Sequence, residues 1–473
     1  SSTNRPATGY GSENPLYLFT WMGRQVDVND LKDYWQAGQE GIQQFNYNYT
    51  WMDNPYFAMH ENTNGFGKDR ILGNLSFTYN LLDNLSFTFR TGMDNYNDLR
   101  KSRRAFSSQR FRNGAYREDE VQFREINTDF LLSYNRQLGS DWDYTISLGG
   151  NRMDQKLSYQ SLMAGELSVP GIYNFENSRN PLVVKQVEQQ KRVNSLYAFG
   201  QVAYKSGIFL DFSLRNDWSS TLPPGNNSYA YYAASLSTVL SELMELPDMV
   251  SFAKLRLSYG VVGNDTDPFN YTNTFQFGQP YGSNPTVAGS SILRSANFEP
   301  EFVYSFETGA DVRFGLNRFG LDITYYRSIS TNQIVELPVS VPSGVQSRIV
   351  NGGRILNQGI ELMLHYRPVS GRNFSWDSYL NFTRNISTVQ DLPDEIDQYV
   401  TGFSRVYGRS DRSVFFIAQE GGRLGDMYGT GFLDINGQHV YDANGNPVKD
   451  PDLRLLGNYN PDFILGLENT LRY

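Results

Sequence analysis

Hydrophobic and polar residues alternate with a period of two in thirteen stretches of about ten residues. The clearest pair sets Leu75, Phe77 and Tyr79 against Asn74, Ser76 and Thr78, then Leu85, Phe87 and Phe89 against Ser86, Thr88 and Arg90. A side-chain period of two means a strand with one apolar face. The alternation predicts strands running one way at 69–80, 124–135, 192–204, 230–240, 304–314, 357–366 and 462–473, with partners at 85–95, 142–151, 208–216, 253–262, 319–327 and 374–384. The gaps alternate too. Short connections at 81–84, 136–141, 205–207 and 315–318 carry the Gly, Asn or Asp of tight hairpins, whereas those at 96–123, 152–191, 263–303, 328–356 and 385–461 run to tens of residues. Strands of ~9 to 11 residues suffice to cross a bilayer, and short turns opposite long loops mark an antiparallel transmembrane β-barrel.

Side-chain parity then sorts residues by face. Rings beside the short turns, Tyr79, Tyr134, Trp142, Tyr204, Phe314, Phe319, Tyr366, Phe374 and Trp376, share the apolar parity and fit a girdle at one membrane border. The opposite parity holds Asp129, Asp143, Asp211, Arg215, Asp217, Lys254, Arg256, Glu307, Asp311, Arg313, Asp322 and Glu361. In lipid a basic side chain would cost ~2 to 4 kcal/mol near the midplane. These charges are expected to face a wet lumen, either contacting cargo or solvating the wall and pairing with one another.

Composition agrees once the fold is considered. The chain has 473 residues, a net charge of −9 and 39% hydrophobic content. Its mean hydropathy is −0.50, low because a barrel shows only every second residue to lipid. No apolar run is long enough for a transmembrane helix. Aromatic residues make up 15%, as interfacial belts require. Cysteine is absent, which removes disulfides, thiol catalysis and thiolate metal sites. The three histidines, His60, His365 and His439, lie far apart, as solvated or hydrogen-bonded residues would. The acidic balance argues against a nucleic-acid partner.

Thirteen is an odd number of strands, and the last has no returning partner, which in lipid leaves an open edge. The chain is therefore expected to be part of a larger barrel. Residues 1–68 form an extracellular loop region, 69–384 twelve strands with their loops, 385–461 a long extracellular loop and 462–473 a final strand. With no basic n-region and apolar h-region after Ser1, it is expected to be a mature exported piece.

Several groups invite a binding role. Trp21, Trp35, Trp51, Tyr56, Phe57, Tyr173 and Tyr281 fall in the long connections, where rings stack on sugars, dock a partner or pack the loops together. Asp217 and Trp218 sit where a strand leaves the membrane, before the turn Pro223 to Asn227, as a cargo contact or as a hydrogen-bonded rim. Asp442, Asn444 and Asn446 present alternate oxygens like a calcium loop, but Leu453 stands where the bidentate Glu is needed, so a turn competes with calcium. No serine-nucleophile motif, phosphate-cradling loop or zinc pattern occurs, and no enzyme activity or cofactor is expected.

The run Arg192 to Gly200 (RVNSLYAFG), Leu214 to Pro223 with Gly225 to Tyr229, Lys254 to Gly260 with Gly263 to Asp265, Asn351 to Gly353 with Asn357 to Leu362, and Gly457 to Phe463 together resemble the SusC/RagA family of TonB-dependent outer-membrane transporters of the Bacteroidetes. The resemblance implies a 22-stranded barrel in the outer membrane of a Gram-negative bacterium, a plug, coupling to TonB and a SusD-like surface lipoprotein as lid. It implies nutrient uptake, the import of large oligosaccharides or oligopeptides. The competing reading is an adhesin or surface scaffold that binds a partner through its loops without transport.

Overall fold

The computed structural model describes residues 14–278, 281–393, 396–405 and 413–473. Thirteen antiparallel strands form one sheet in which each strand neighbours the next in chain order. They are β1 (Asn64–Leu82), β2 (Leu85–Phe106), β3 (Asn113–Leu138), β4 (Trp142–Ala164), β5 (Val183–Tyr204), β6 (Ile208–Ser219), β7 (Ser228–Val239), β8 (Val250–Asn264), β9 (Glu301–Phe314), β10 (Phe319–Thr331), β11 (Arg354–Ser370), β12 (Ser375–Asp391) and β13 (Ile464–Arg472). No helix among the described residues is long and apolar enough to cross a membrane.

Register keeps one apolar and one polar face. In the β8–β9–β10–β11 stretch, Leu257 faces Thr308, Ala310 faces Ile323 and Ile323 faces Leu362, while Lys254 faces Asp311, Asp311 faces Asp322 and Thr324 faces Glu361. β6 and β7 continue it, with Leu210 opposite Leu236 and Asp211 opposite Ser235. Leu75, Phe77, Ile146, Leu210, Phe212, Leu257 and Ile323 are exposed on the apolar face, as expected of side chains built to meet lipid.

The strands outrun their sequence pattern. β2 and β3 continue so far that only 107–112 is left of the loop expected at 96–123, and β4 and β5 reduce 152–191 to 165–182. Beyond the apolar band both faces are wet, so alternation stops while the hydrogen-bonded ladder goes on. The other long connections fold as well. Within 263–303 and 328–356, strands 292–294, 334–338 and 347–351 make a three-stranded sheet. Within 385–461, strands 398–405, 413–419, 426–432 and 449–458 make a four-stranded one. Residues 1–68 are not all loop: they hold helices Pro15–Thr20 and Pro55–His60 and the start of β1.

The chain divides into two compact units. One comprises 1–77, 90–128 and 152–192. Its two short helices start where Asn14 and Asn54 cap them and a proline presets the first turn. Its core pairs Leu18, Met52 and Ala58 with a buried polar knot. There Asp53 accepts from Gln44 Nε2 and the Gln109 amide at 2.8 Å and from Ser108 Oγ at 3.1 Å. A buried carboxylate so fully bonded fixes the loop rather than destabilising it. The other unit, 78–89, 129–151 and 193–473, has a core of Leu222, Tyr229 and Phe298 with Tyr231, Tyr271, Phe302, Ile334 and Ile349 around it.

The turns at the short end force unusual backbone. Lys205 and Ser206 both have a φ of 50°, the two left-handed positions of a type I′ hairpin.

Candidate functional site

The polar face is a charged wall whose members strand alternation aims the same way. Asp211 accepts from Gln201 Nε2 at 2.6 Å and from Ser235 Oγ at 3.2 Å. Arg313 donates to Asp311 two residues before it, at 3.1 Å. Arg256 reaches across the whole of β9 to Asp322, Nη2 to Oδ1 at 2.7 Å. Gly309 makes that crossing possible, because a Cβ there would lie 3.1 Å from the guanidinium of Arg256 and 2.9 Å from the Ile323 carbonyl. Lys254, Glu307, Glu361 and Asp143 form no side-chain hydrogen bond or ion pair among the described residues, while Asp129 does have a partner. An open depression of about 610 Å³ on this wall is bordered by Gln201, Asp211, Ser235, Ser258 and Glu307. Hydroxyls, an amide and two carboxylates can accept from polyhydroxyl or amide donors there.

His365 sits lower on the wall, its Nε2 3.2 Å from Asp377 and its ring stacked on Tyr379 at 4.6 Å. Arg367 Nε donates to the same Asp377 oxygen at 2.6 Å. This cluster was invisible in sequence, because its members come from two strands.

Asp217 is not an exposed contact. It is 5% exposed, receiving Arg215 Nε at 2.7 Å and the Tyr231 hydroxyl at 2.8 Å, and Arg215 also donates to Ser195 Oγ. Next to it Ser219 Oγ donates to Asp265 and Asn226 Nδ2 to the Phe298 carbonyl. The arrangement fixes the ends of β6 and β7. Trp218 has the other parity, paired with Asn194 and Ser228 on the apolar face. There Tyr232, Tyr259, Tyr304 and Tyr325 are also exposed. They form a second row of rings, and Tyr304 lies ten residues along β9 from Phe314. Continuing the alternation past the apolar core would have found this row.

The candidate rings of the loops divide by burial. Phe57 is fully buried, edge-on to Trp35 at 5.3 Å, so its ring belongs to a core and not to a surface. Trp35 is half-buried beside it, against Tyr34 at 5.7 Å. The Tyr34 hydroxyl donates to Glu61 at 2.9 Å and its ring stacks on His60. Burial, reinforced by the Glu61 carboxylate, pushes this phenol up to about 12. Tyr173 is half-buried against Tyr116, beneath Arg103. Tyr56 is half-buried, whereas Trp21, Trp51 and Tyr281 are exposed. Of the seven rings, only Trp21, Trp51 and Tyr281 are thus left exposed.

Asp442 spends its carboxylate on a turn. Oδ1 accepts from the amides of Asn444 and Asn446 at 2.8 and 2.9 Å, and Oδ2 from Asn446 Nδ2 at 3.3 Å. These amides hold its carboxyl below the usual range. Among the described residues no group of three acidic or histidine side chains could hold a metal ion. Asn436 and Gly437, both at positive φ, form the hairpin turn their sequence predicts, between 434–435 and 438–439. His439 Nδ1 lies 3.6 Å from Asp434.

A two-faced antiparallel sheet with ring rows along its apolar face is the wall of a transmembrane β-barrel. The family described as "TonB dependent receptor-like, beta-barrel" matches residues 7–468, and the chain belongs to it. The chain is 26% identical over 457 residues to TonB-dependent receptor P3 of Formosa agariphila, covering 89% of this chain and 45% of that protein. It is 23% identical over 385 residues to TonB-dependent receptor SusC of Bacteroides thetaiotaomicron, covering 75% and 37%. Its fold matches the structure of the RagAB peptide transporter with a TM-score of 0.74 at 17% identity, over 89% of this chain and 48% of that one. The chain spans less than half the length of each of these relatives. The relatives named are receptors and a transporter, not enzymes.

Proposed function

We propose that this chain forms the wall of a TonB-energised importer in the outer membrane, one that takes up oligopeptides or oligosaccharides beneath a SusD-like surface lipoprotein. The observation that carries the reading is the polar face: Lys254, Glu307, Glu361 and Asp143 carry no ion pair among the described residues, on a wall where Arg256 pairs with Asp322 and Arg313 with Asp311. The fold shared with a peptide transporter supports the oligopeptide class, and the hydroxyls, amide and carboxylates around the depression on the wall suit oligosaccharide donors as well. The long connections would then lie outside the cell, with the folded segments 398–405, 413–458 and 292–351 facing the lid.

The test uses the full-length protein in its native cell. Labelled oligopeptides and oligosaccharides are supplied separately, with TonB present and absent. Uptake of one class that requires TonB and falls at least tenfold with E307Q/E361Q is expected. Gentle detergent extraction should recover a surface lipoprotein, and protease added to intact cells should cut 165–182 but not 315–318. Retained loop binding with no uptake of either class would move the reading to an adhesin or scaffold.

A further inference from the structure

Within the unit made of 1–77, 90–128 and 152–192, the two faces of the sheet are covered unequally. Leu75 and Phe77 of β1 and Ile126 of β3 hold the apolar parity, which Tyr116 continues towards the long connections. There Tyr116, Ala164 and Leu167 are buried with Tyr173, Phe175 and Leu182 packed against them, so the segment 165–182 covers that side. The opposite parity holds Lys68 and Arg70 of β1, Arg100 of β2, Arg117 of β3 and Lys185 of β5, and all five are exposed.

Two kinds of cation stand on this open face. The arginines are matched: Arg70 reaches both oxygens of Asp94, through Nε at 2.8 Å and Nη2 at 2.7 Å, while Arg100 donates to Asp98 at 2.8 Å and Arg117 to Asp119 at 2.9 Å. The lysines are not. Lys68 Nζ sits 3.6 Å above the Tyr96 ring, which stacks on Phe123 at 5.0 Å. Lys185 Nζ lies 5.8 Å from the centre of Tyr159, whose hydroxyl donates to Asp119 at 3.0 Å. Neither lysine makes an ion pair among the described residues. A ring attracts an ammonium group without neutralising it, so both positive charges stay available. Glu125, beside Ile126, has its oxygens occupied by Asn127 and Gln155. The face is therefore positive, in a chain whose net charge is −9.

We propose that this face binds an acidic oligosaccharide, one whose sugars carry carboxylate or sulfate groups. Lys68 and Lys185 would supply the unmatched charge, and the Nη1 groups of Arg70, Arg100 and Arg117, which have no acceptor among the described residues, would add donors. β1 and β5 lie four strand spacings apart, about 19 Å at ~4.8 Å each, enough for several charges along one chain. A sugar fits better than a peptide because β2, β3 and β4 are interior strands. Their backbone groups are occupied by the ladder, so no peptide strand can be added there. What the face offers instead is side chains, with amides such as Asn127 and hydroxyls such as Ser102 and Tyr159 among the cations, and these match sugar hydroxyls. The inference rests on the importer reading, whose cargo it narrows.

Titration calorimetry of the full-length protein in detergent tests it, with oligogalacturonate, a sulfated oligogalactose, the uncharged counterparts of both and an oligoglutamate peptide as probes. The native protein should bind at least one acidic sugar chain, which of the two identifying the anion, and bind its uncharged counterpart far more weakly. Raised salt should weaken that binding. K68Q/K185Q should weaken it about tenfold, a few-fold per exposed cation, whereas K68R/K185R and R124Q, the latter on the opposite face, should keep it. Equal binding of the charged and uncharged sugars by the native protein would overturn the proposal, whether or not the glutamine variant assembles. So would unchanged binding by an assembled K68Q/K185Q, or oligoglutamate binding as tight as that of the acidic sugars. TonB-dependent uptake of neutral sugars or peptides, with no binding of either acidic sugar, would sink this inference and leave the importer reading standing. Binding of an acidic sugar with no uptake of any cargo would do the reverse.

Discussion

Arg152–Asp154 and Arg215–Asp217 are the same device built twice. In each, an arginine two residues before an aspartate shares its strand face and donates Nε at 2.7 Å. Their surroundings differ. The Asp217 side chain is 8% exposed and receives a tyrosine hydroxyl beneath the Leu222–Tyr229–Phe298 core. The Asp154 side chain is 38% exposed and receives a second arginine from the next strand. Identical local chemistry thus fixes a rim in one place and displays cations in the other. Parity and cover, not the motif, set the role.

The largest effect should come from testing parity itself. Arginine at Leu148, four residues below Arg152 on the same face, or at Ile323, should block assembly, at about 2 to 4 kcal/mol near the midplane. Arginine at Thr324, on the polar face opposite Glu361, should be tolerated. Folded and unfolded forms separate on an unheated denaturing gel, so the comparison is direct. Equal yields of folded protein at Ile323 and Thr324 would remove the basis for calling one face lipid and the other lumen.

Within the pair, Asp217→Ala should cost about 3 kcal/mol in denaturant unfolding, since it leaves a partly buried arginine and a buried tyrosine hydroxyl without their acceptor. Asp217→Asn should recover part of this, because its carbonyl still accepts from Tyr231. A loss below about 1 kcal/mol for alanine would mean the rim is no more rigid than the exposed cluster.

How much was legible follows the same divide. All thirteen strands were readable, because lipid on one side and water on the other force a period of two. The strand ends were not: Arg100, Lys101, Arg103 and Arg104 show no alternation, yet they stand inside β2. The four-stranded sheet within 398–458 was missed for the same reason. Sequence left Asp217 open between a cargo contact and a hydrogen-bonded rim, because its partner Tyr231 lies on the next strand. Sequence left Phe57 open between a binding ring and loop packing, because nothing local shows Trp35 packed on it.

Tyr34 offers an intermediate case outside the membrane, a half-buried phenol bonded to Glu61. Its pKa is raised from 10.0 to about 12, so the stability it confers is full below pH 10 and is lost as pH climbs through about 12. Tyr34→Phe should remove one late-titrating phenolate from the ultraviolet absorbance and flatten that loss. A difference spectrum centred near pH 10 would show that the loop core does not shelter the hydroxyl, and would rank this site with the exposed device instead of the buried one.

The smallest effect belongs to Asp154→Ala. An exposed ion pair is worth ~0 to 1 kcal/mol, and deletion here also leaves two arginines side by side without the carboxylate between them. In detergent the cost should stay below about 1 kcal/mol and grow as salt is lowered, because mutual repulsion of the guanidinium groups is screened over ~10 Å at 0.1 M. Its salt dependence is the informative part. Asp217→Ala should respond little to salt, since its charges are covered, whereas Asp154→Ala should respond clearly. If the two variants showed the same salt dependence, exposure would not be what separates the two devices, and the contrast between covered and exposed pairs would fail at its smallest and cleanest point.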